Sequence, residues 1–493
     1  MKLEKLIEGL NIIEVKGSLE VDITSVAHDS RKARAGSAFV CIKGFEADGH
    51  RFIPSVAENG AAAVIIQDEM EVPAGMTAIR VDNTRYALAK ISDTFFGHPS
   101  GKFSLIGITG TKGKTTTTYM MKSILEAAGQ KVGLIGTIGS MIGNEVLYTE
   151  RTTPESYELQ SIFAEMAEKH VDSTVMEVSS QGLKLHRVSC CDFDTGIFTN
   201  ISMDHIGPRE HESFEEYMDS KKKLFKMCRT GFVNIDNKYG SEIVKSAECK
   251  VYSIGIDNEA DIMAQDLVFH SDSVEFTACT PWGSGRIRVN IPGKFSIYNA
   301  LSAIGVCAYK GIPFEIIGQG LENICVPGRA EVIYTCRDFT IMRDYAHTPD
   351  SLENILGTVK NFAPGRLVCL FGCGGDRDRT KRPIMGEISG NVADYTIITS
   401  DNPRTEDPEA IVKEIEQGIK RTSGSYTVIV DRREAIRHAI VNVQPKDVIV
   451  LAGKGHETYQ IFKDKTIHFD EREVVEEILD EIHRGNADAN AKV

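Results

Sequence analysis

No stretch of this chain is apolar for long enough to cross a bilayer as a helix, and no membrane partner is expected. The eleven cysteines include no C-x-x-C pair. A zinc ribbon and a disulfide framework are therefore not expected, and the adjacent Cys190-Cys191 would make a poor bridge; reduced thiols fit better. Basic residues are outnumbered, with 56 Lys+Arg against 70 Asp+Glu and a formal charge of −14. The one short basic run, Lys221-Lys222-Lys223, is a pattern that usually marks a solvated helix face, so no nucleic-acid partner is expected. Residues 1–10 interleave acids with apolar side chains and lack the core of a signal peptide. No repeat or low-complexity segment occurs. A cytoplasmic protein working on small molecules, as a monomer, is the expectation.

What is present is an ordinary globular composition, 42% hydrophobic and 26% charged, over 493 residues. That length is too great for one core and implies several domains. The most informative segment is Phe103-Ser-Leu-Ile-Gly-Ile-Thr-Gly-Thr-Lys-Gly-Lys-Thr-Thr-Thr-Thr118. A β-branched run feeds a turn holding Gly107, Gly110 and Gly113, and a helical pattern then continues to about Gly129. Strand, glycine loop and helix N-terminus together turn backbone N–H groups and the helix dipole toward a phosphate. The loop spans Gly110, Thr111, Lys112, Gly113, Lys114, Thr115 and Thr116. Lys114 can reach the outer phosphates and Thr115 can ligate Mg²⁺. Ile108 stands where the strict G-x-x-x-x-G-K-[ST] spacing has its first glycine. ATP and Mg²⁺ are the expected cofactors.

Three units are expected. Residues 1–99 carry short strand patterns at 37–43, 62–67 and 77–81, and His98-Pro-Ser-Gly101 reads as a linker. Residues 100–326 carry apolar runs at 131–136, 172–178 and 193–199 between helical stretches, then shorter alternating segments over 260–291 that suggest an antiparallel patch. Residues 327–493 carry runs at 338–343, 366–371, 394–400, 427–430 and 447–452. Strands alternating with helices imply an α/β fold: a central P-loop parallel sheet, a C-terminal Rossmann-like doubly wound sheet and a smaller α/β N-terminal domain. The tail from Arg484 to Val493 reads as frayed.

Ligands of open α/β sheets sit beyond the carboxyl ends of the strands. Glu177 closes the run at 173–177 and is a candidate for a second Mg²⁺ contact. Asn200 and Asp204-His205 follow the next strand. In the third unit, four strand ends carry Asp344-Tyr-Ala-His347, Gly374-Gly-Asp-Arg377-Asp-Arg379, Ser400-Asp401-Asn402-Pro403-Arg404 and Gly453-Lys-Gly-His-Glu457. Arg377 and Arg404 suit a carboxylate-rich ligand, which a guanidinium grips through two parallel hydrogen bonds. An ATP-dependent ligase or kinase is the natural class.

These motifs, with Glu177-Val-Ser-Ser180 and Pro327-Gly-Arg329, resemble the Mur ligases over essentially the whole chain. Within that family the likeness is to the branch that adds the third residue of the peptidoglycan stem peptide, in the type that adds meso-diaminopimelate. The resemblance implies that the N-terminal domain holds the UDP end of the substrate, the central domain ATP and the C-terminal domain the amino acid. It implies that Ser30 contacts the uridine nucleotide, and that Thr152, Thr153, Ser179 and Arg187 hold the muramoyl-dipeptide. Asn299, Arg329 and Asp344 would seat ATP, and Thr115, Glu177 and His205 the metal. Lys114, His205, Lys221 and His347 would be the catalytic group, with Lys221 carried as N6-carboxylysine. That carbamate needs a neutral amine, a form that the cations Lys222 and Lys223 would favour. Arg377, Asp401, Asn402, Pro403, Arg404, Gly453 and Glu457 would receive the diamino acid.

Three positions depart from the family pattern: Lys112 replaces Asn, Gln181 replaces His, and the segment Asp204-His-Ile-Gly-Pro-Arg-Glu-His211 is rebuilt. Two alternatives stay open. One is a Mur-like ligase that adds L-lysine or another amino acid, or works on a different acid acceptor. The other is an ATP-binding partner that has lost ligation.

Overall fold

The computed structural model describes residues 1–44, 47–147, 149–203, 206–207, 210–270, 272–322 and 324–490. These gather into two compact units. The first comprises Met1–Gln265, Thr277–Gly285 and Tyr298–Leu321; the second comprises Asp266–Phe276, Arg286–Ile297 and Glu322–Val493.

The N-terminal region builds a five-stranded sheet in the order Ile12–Lys16, Thr77–Val81, Ala63–Ile66, Ser37–Val40, Ser25–Ala27. Its strands run parallel except for the antiparallel first pair. The runs at 37–43, 62–67 and 77–81 are recovered. Ile12–Lys16 was not expected, because this edge strand is largely exposed and shows no apolar alternation.

The central sheet has parallel strands in the order Lys250–Gly255, Cys228–Asn234, Phe193–Phe198, Ser104–Thr109, Ser173–Glu177, Val132–Gly136. The strand before the glycine loop is thus flanked on both sides and is buried from Leu105 onward. Register places Glu177 opposite Ile108, and Phe198 opposite Thr109, so three strand ends finish level. Segments Ile262–Phe269, Val274–Thr280 and Gly283–Val289 lie side by side in the same sheet. A link as short as Pro281-Trp282 can join only antiparallel neighbours, which matches the patch expected over 260–291.

The C-terminal sheet runs Glu331–Thr335, Phe339–Asp344, Asp447–Ala452, Leu367–Phe371, Tyr395–Ile398, Tyr426–Val428. All pairings are parallel apart from the first. Helices cover both faces. Leu352, Leu356, Met385, Ile411 and Ile415 pack on one, and Ala435, Ile436 and Ile478 on the other. The two central strands are buried throughout, as two-sided cover requires. The last helix spans Glu471–Asn490, so the backbone stays helical through most of the tail read as frayed. Three sheets with separate apolar cores make an α/β protein of three domains. No disulfide forms among the described cysteines.

An ion pair sealed from solvent anchors the C-terminal sheet. Arg432 and Glu471 are 1% and 0% exposed and lie 2.7 Å apart. The guanidinium also donates to the carbonyls of Ser400 and Ala452, joining two strand ends. Removing one partner leaves the other buried and uncompensated. Arg432→Met is expected to cost about 3–5 kcal/mol, read in urea unfolding followed by circular dichroism. A loss under about 1 kcal/mol would mean that Glu471 reaches solvent or takes a proton at little cost.

Candidate active site

The glycine loop is held by the neighbouring strand end. The Thr111 N–H donates to the Asn200 carbonyl, the Lys112 N–H to Asn200 Oδ1, and Asn200 Nδ2 to the Lys112 carbonyl. The Thr199 hydroxyl also donates to the Lys112 carbonyl. Asn200, placed by the sequence at a strand end without a role, is therefore the latch of the loop. Gly113 has φ 86°, and a Cβ there would overlap Asn299 Oδ1. That contact brings Asn299 to the loop. Lys114 Nζ donates to the carbonyls of Gly110 and Thr111, curled over the loop that it closes. The helix Lys114–Ala127 begins there, with the hydroxyl of Thr115 buried in its first turn and Thr116 partly exposed.

Glu177 is 1% exposed and collects three donors. Thr115 Oγ1 lies 2.9 Å from its Oε1, the Thr137 N–H 2.9 Å from the same oxygen, and Thr137 Oγ1 3.1 Å from Oε2. Thr137 was missed by sequence reasoning. Its only signal is its place, directly after the strand Val132–Gly136. A Cβ at Gly136 would collide with the Glu177 carboxylate, so this glycine admits the contact. Hydroxyl and carboxylate oxygens at this spacing are hard donors of the type Mg²⁺ prefers, so the donor set fits that ion.

Thr152 lies beside Thr137, with their hydroxyls 3.1 Å apart. The Thr153 hydroxyl donates to the Glu177 carbonyl and accepts from the Ser179 N–H, so its side chain is committed to the turn. Ser179 Oγ caps the short helix Ser180–Lys184 by accepting from the Gly182 N–H. Arg187 donates to the Thr153 carbonyl and pairs with Glu155, which also faces Arg85. Thr152, Thr153, Ser179 and Arg187 thus converge beside Glu177. Ser30 lies in the turn Ser30–Lys32, capped by Asp29.

Lys221 is 1% exposed, with Nζ 4.5 Å from the Tyr217 ring centroid. Tyr217 Oη lies 2.8 Å from Thr111 Oγ1, so this lysine belongs to the surroundings of the glycine loop. Lys222 pairs with Asp219 at 2.9 Å, and Lys223 is exposed. Asp204 and His205 lie outside the described residues.

In the second unit, register sets Asp344 and Phe371 opposite Ala452, and Ile398 opposite Phe371. Four strand ends therefore form one row. Asp344 accepts from the Ala330 N–H at 2.7 Å, and Arg329 stacks 4.8 Å from the Tyr345 ring. His347 and His456 flank the same ring at 4.6 and 5.1 Å. Burial, aided by Arg329, pushes the His456 imidazole down to about 4, so it is neutral near neutral pH.

Along the row, Asp401 Oδ1 accepts the Asn402 N–H while Oδ2 is buried with no hydrogen-bond partner among the described residues. Asn402 Nδ2 donates to Glu457 Oε2 at 2.8 Å. Gly453 follows the Asp447–Ala452 strand with φ 111°, and a Cβ there would lie 2.9 Å from Asp401 Oδ2. Pro403 is buried, and Arg404 has φ 51°. That unusual backbone is held by the Arg404 N–H donating to the Ile461 carbonyl and by Thr405 Oγ1 donating to Asp376. Buried Arg382 clamps Glu406, whose carboxyl is drawn down to about 2 by that bond. Arg404 and exposed Arg377 both border Gly374. Carboxylates and guanidiniums thus stand side by side on one sheet edge, a match for a ligand bearing both ammonium and carboxylate.

Comparison with known proteins follows this division. Three family profiles match: Mur ligase family, catalytic domain, over residues 22–96; Mur ligase middle domain over 108–307; and Mur ligase, glutamate ligase domain, over 328–455. A UDP-N-acetylmuramoyl-L-alanyl-D-glutamate--2,6-diaminopimelate ligase of Caldanaerobacter subterraneus subsp. tengcongensis is 49% identical over 482 residues, covering 98% of this chain and 99% of that protein. The protein of the same name from Clostridium botulinum is 47% identical over 488 residues, covering 98% and 100%. A solved structure bearing that name superimposes with TM-score 0.72 at 29% identity, covering 98% of this chain and 99% of its own.

Gly113→Ala places a side chain at a left-handed φ and against Asn299. It is expected to weaken nucleotide binding by at least about tenfold in calorimetric titration. Gly129, at φ 80° with nothing within 4 Å, is the control. Its alanine variant carries backbone strain alone and should bind as the parent does. Equal losses in both would remove the steric argument.

Proposed function

The chain belongs to the Mur ligase family, and from that premise we propose that it joins 2,6-diaminopimelate, as the meso isomer, to UDP-N-acetylmuramoyl-L-alanyl-D-glutamate at the expense of ATP. The product is the tripeptide precursor of peptidoglycan, made in the cytoplasm by a monomer acting on small molecules. Among the described residues, no helix is long and apolar enough to cross a membrane. We assign the nucleotide end of the acceptor to residues 1–99 with Ser30, ATP to 100–326 and the amino acid to 327–493.

The chemistry is phosphoryl transfer followed by acyl transfer. An oxygen of the D-glutamyl carboxylate attacks the γ-phosphorus, the bond to the ADP oxygen breaks, and an acyl phosphate results. The amine of diaminopimelate attacks the acyl carbon, phosphate leaves, and the amine proton is lost. The loop N–H groups and Lys114 cradle the phosphates, while Asn299, Arg329 and Asp344 seat the nucleotide. Such steps depend on positioning and on preorganised charge more than on covalent catalysis. Thr115 and Glu177 would hold Mg²⁺, with His205 as a further ligand. When bound, the ion neutralises charge gathering on the transferred phosphoryl group. Thr152, Ser179 and Arg187 orient the acceptor, Thr153 through the turn that it stabilises. Lys221 as a carbamate would add an anion in the buried space beside Tyr217, and His347 borders the nucleotide residues of the second unit.

The observation that carries the choice of amino acid is the row of Asp401, Asn402 and Glu457 beside Arg404 and Arg377. L-Lysine offers the amines but lacks the second carboxylate, which would leave the guanidiniums unpaired. Phosphate release from ATP, with the UDP-dipeptide and either meso-diaminopimelate or L-lysine, tests the reading. Release with diaminopimelate alone is expected. Arg404→Ala should raise its KM at least about tenfold with little change for ATP. Release with lysine alone would overturn the carboxylate clamp, and silence with both would overturn the acceptor.

A further inference from the structure

The diamino-acid pocket contains a cation that the reading above does not use. Lys454 is 0% exposed, and its Nζ lies 3.1 Å from Glu457 Oε2 and 3.3 Å from Asn402 Oδ1. The loop is closed locally, since the Glu457 N–H donates to the Lys454 carbonyl. Asn402 is held in turn, its Oδ1 accepting from the Ile461 N–H and its Nδ2 donating to Glu457. A sealed ammonium is costly unless it is paired, so this arrangement calls for an explanation.

Charge supplies one. Asp401 and Glu457 bring two negative charges and Lys454 one positive. With Arg404 and Arg377 left to the substrate carboxylates, these three groups balance to one negative charge, which matches a single substrate ammonium. The oxygens divide in the same way: Glu457 Oε2 is taken by Asn402 and Lys454, whereas Asp401 Oδ2 is buried with no hydrogen-bond partner among the described residues. Resting on the functional reading above, we propose that Lys454 is a positioning and specificity residue, whose buried ammonium fixes the Glu457 carboxylate and trims the pocket to receive one ammonium of a diamino acid.

The groups facing Glu457 are Lys454 on its own loop, Asp401 and Asn402 after the Tyr395–Ile398 strand, and Tyr345 after Phe339–Asp344. Burial raises the Glu457 carboxyl above its ordinary range and Asp401 adds to the rise, while Lys454 and Asn402 oppose it. Tyr345 is itself raised and stays neutral near neutral pH. Without Lys454 the carboxyl would climb further. A larger fraction would then be protonated at low pH, and the ionised receptor would return as pH rises.

The test compares Lys454→Met, Glu457→Gln and the double variant in the intact enzyme, with KM for meso-diaminopimelate, ATP and the UDP-dipeptide measured from about pH 6.5 to about pH 8.5. Lys454→Met should raise KM for diaminopimelate about tenfold at the acid end, with the defect shrinking toward the alkaline end and the other two KM values steady. Glu457→Gln should raise it without that pH dependence, and the double variant should resemble Glu457→Gln alone. Calorimetric binding of diaminopimelate should follow the same order. A defect shared by all three substrates, one independent of pH, or additive effects in the double variant would overturn the proposal. Lys454→Gln, which keeps a donor without the charge, should behave as the Met variant does. Loss of the fold in both would make Lys454 structural and overturn it too. A parent enzyme that is silent with diaminopimelate would instead condemn the functional reading.

Discussion

One buried carboxylate organises the candidate phosphate site. Glu177 ends the strand beside the glycine loop and draws donors from two other chain segments, Thr115 in the helix turn and Thr137 beyond the adjacent strand. Its negative charge is tolerated in a sealed position because three donors compensate it. The same charge makes the spot suitable for a divalent cation. Gly136 yields its side chain to make room, and Thr153 ties the backbone carbonyl of Glu177 to the start of the next helix. The loop, the residues proposed to hold the metal and those proposed for the acceptor are thereby referenced to one strand end.

The second unit uses charge differently. At its sheet edge, ions are held by other ions and by strained backbone. Arg382 grips Glu406 and Glu414, Glu406 accepts from the Asp376 N–H, and Arg404 sits at a positive φ between these supports. Strain of this kind persists only where the surroundings over-determine it, and here the guanidinium donates to the Gly375 carbonyl of the neighbouring strand-end loop. Glu331 plays the matching part near Arg329. It accepts from the Gly328 N–H and pairs with Arg343, which fixes the loop carrying Arg329.

Much of this was legible in the sequence. The glycine loop, Glu177 and the four strand-end motifs were found because strand-to-turn transitions leave local marks: β-branched runs, then glycine, then polar residues. The Glu331–Thr335 and Ile12–Lys16 strands were missed because edge strands are half solvated and lose the apolar pattern. The committed side chain of Thr153 could not be foreseen, since a hydroxyl reads alike whether it faces ligand or backbone. Nor could the ion pair between Lys222 and Asp219.

By itself, the order of residues determined the alternation of strands and helices, the phosphate loop and the chemical kind of each strand end. These follow from steric preference and periodicity within a few neighbouring residues. Only the tertiary structure decided which groups meet: Thr137 with Glu177, Asn200 with the loop, Asn299 with Gly113, and Lys454 with Asn402. Such pairs join residues from different strand ends or loops, and their meeting depends on strand order and register. Those are settled by packing whole helices and sheets against each other, a balance that no local stretch of sequence contains.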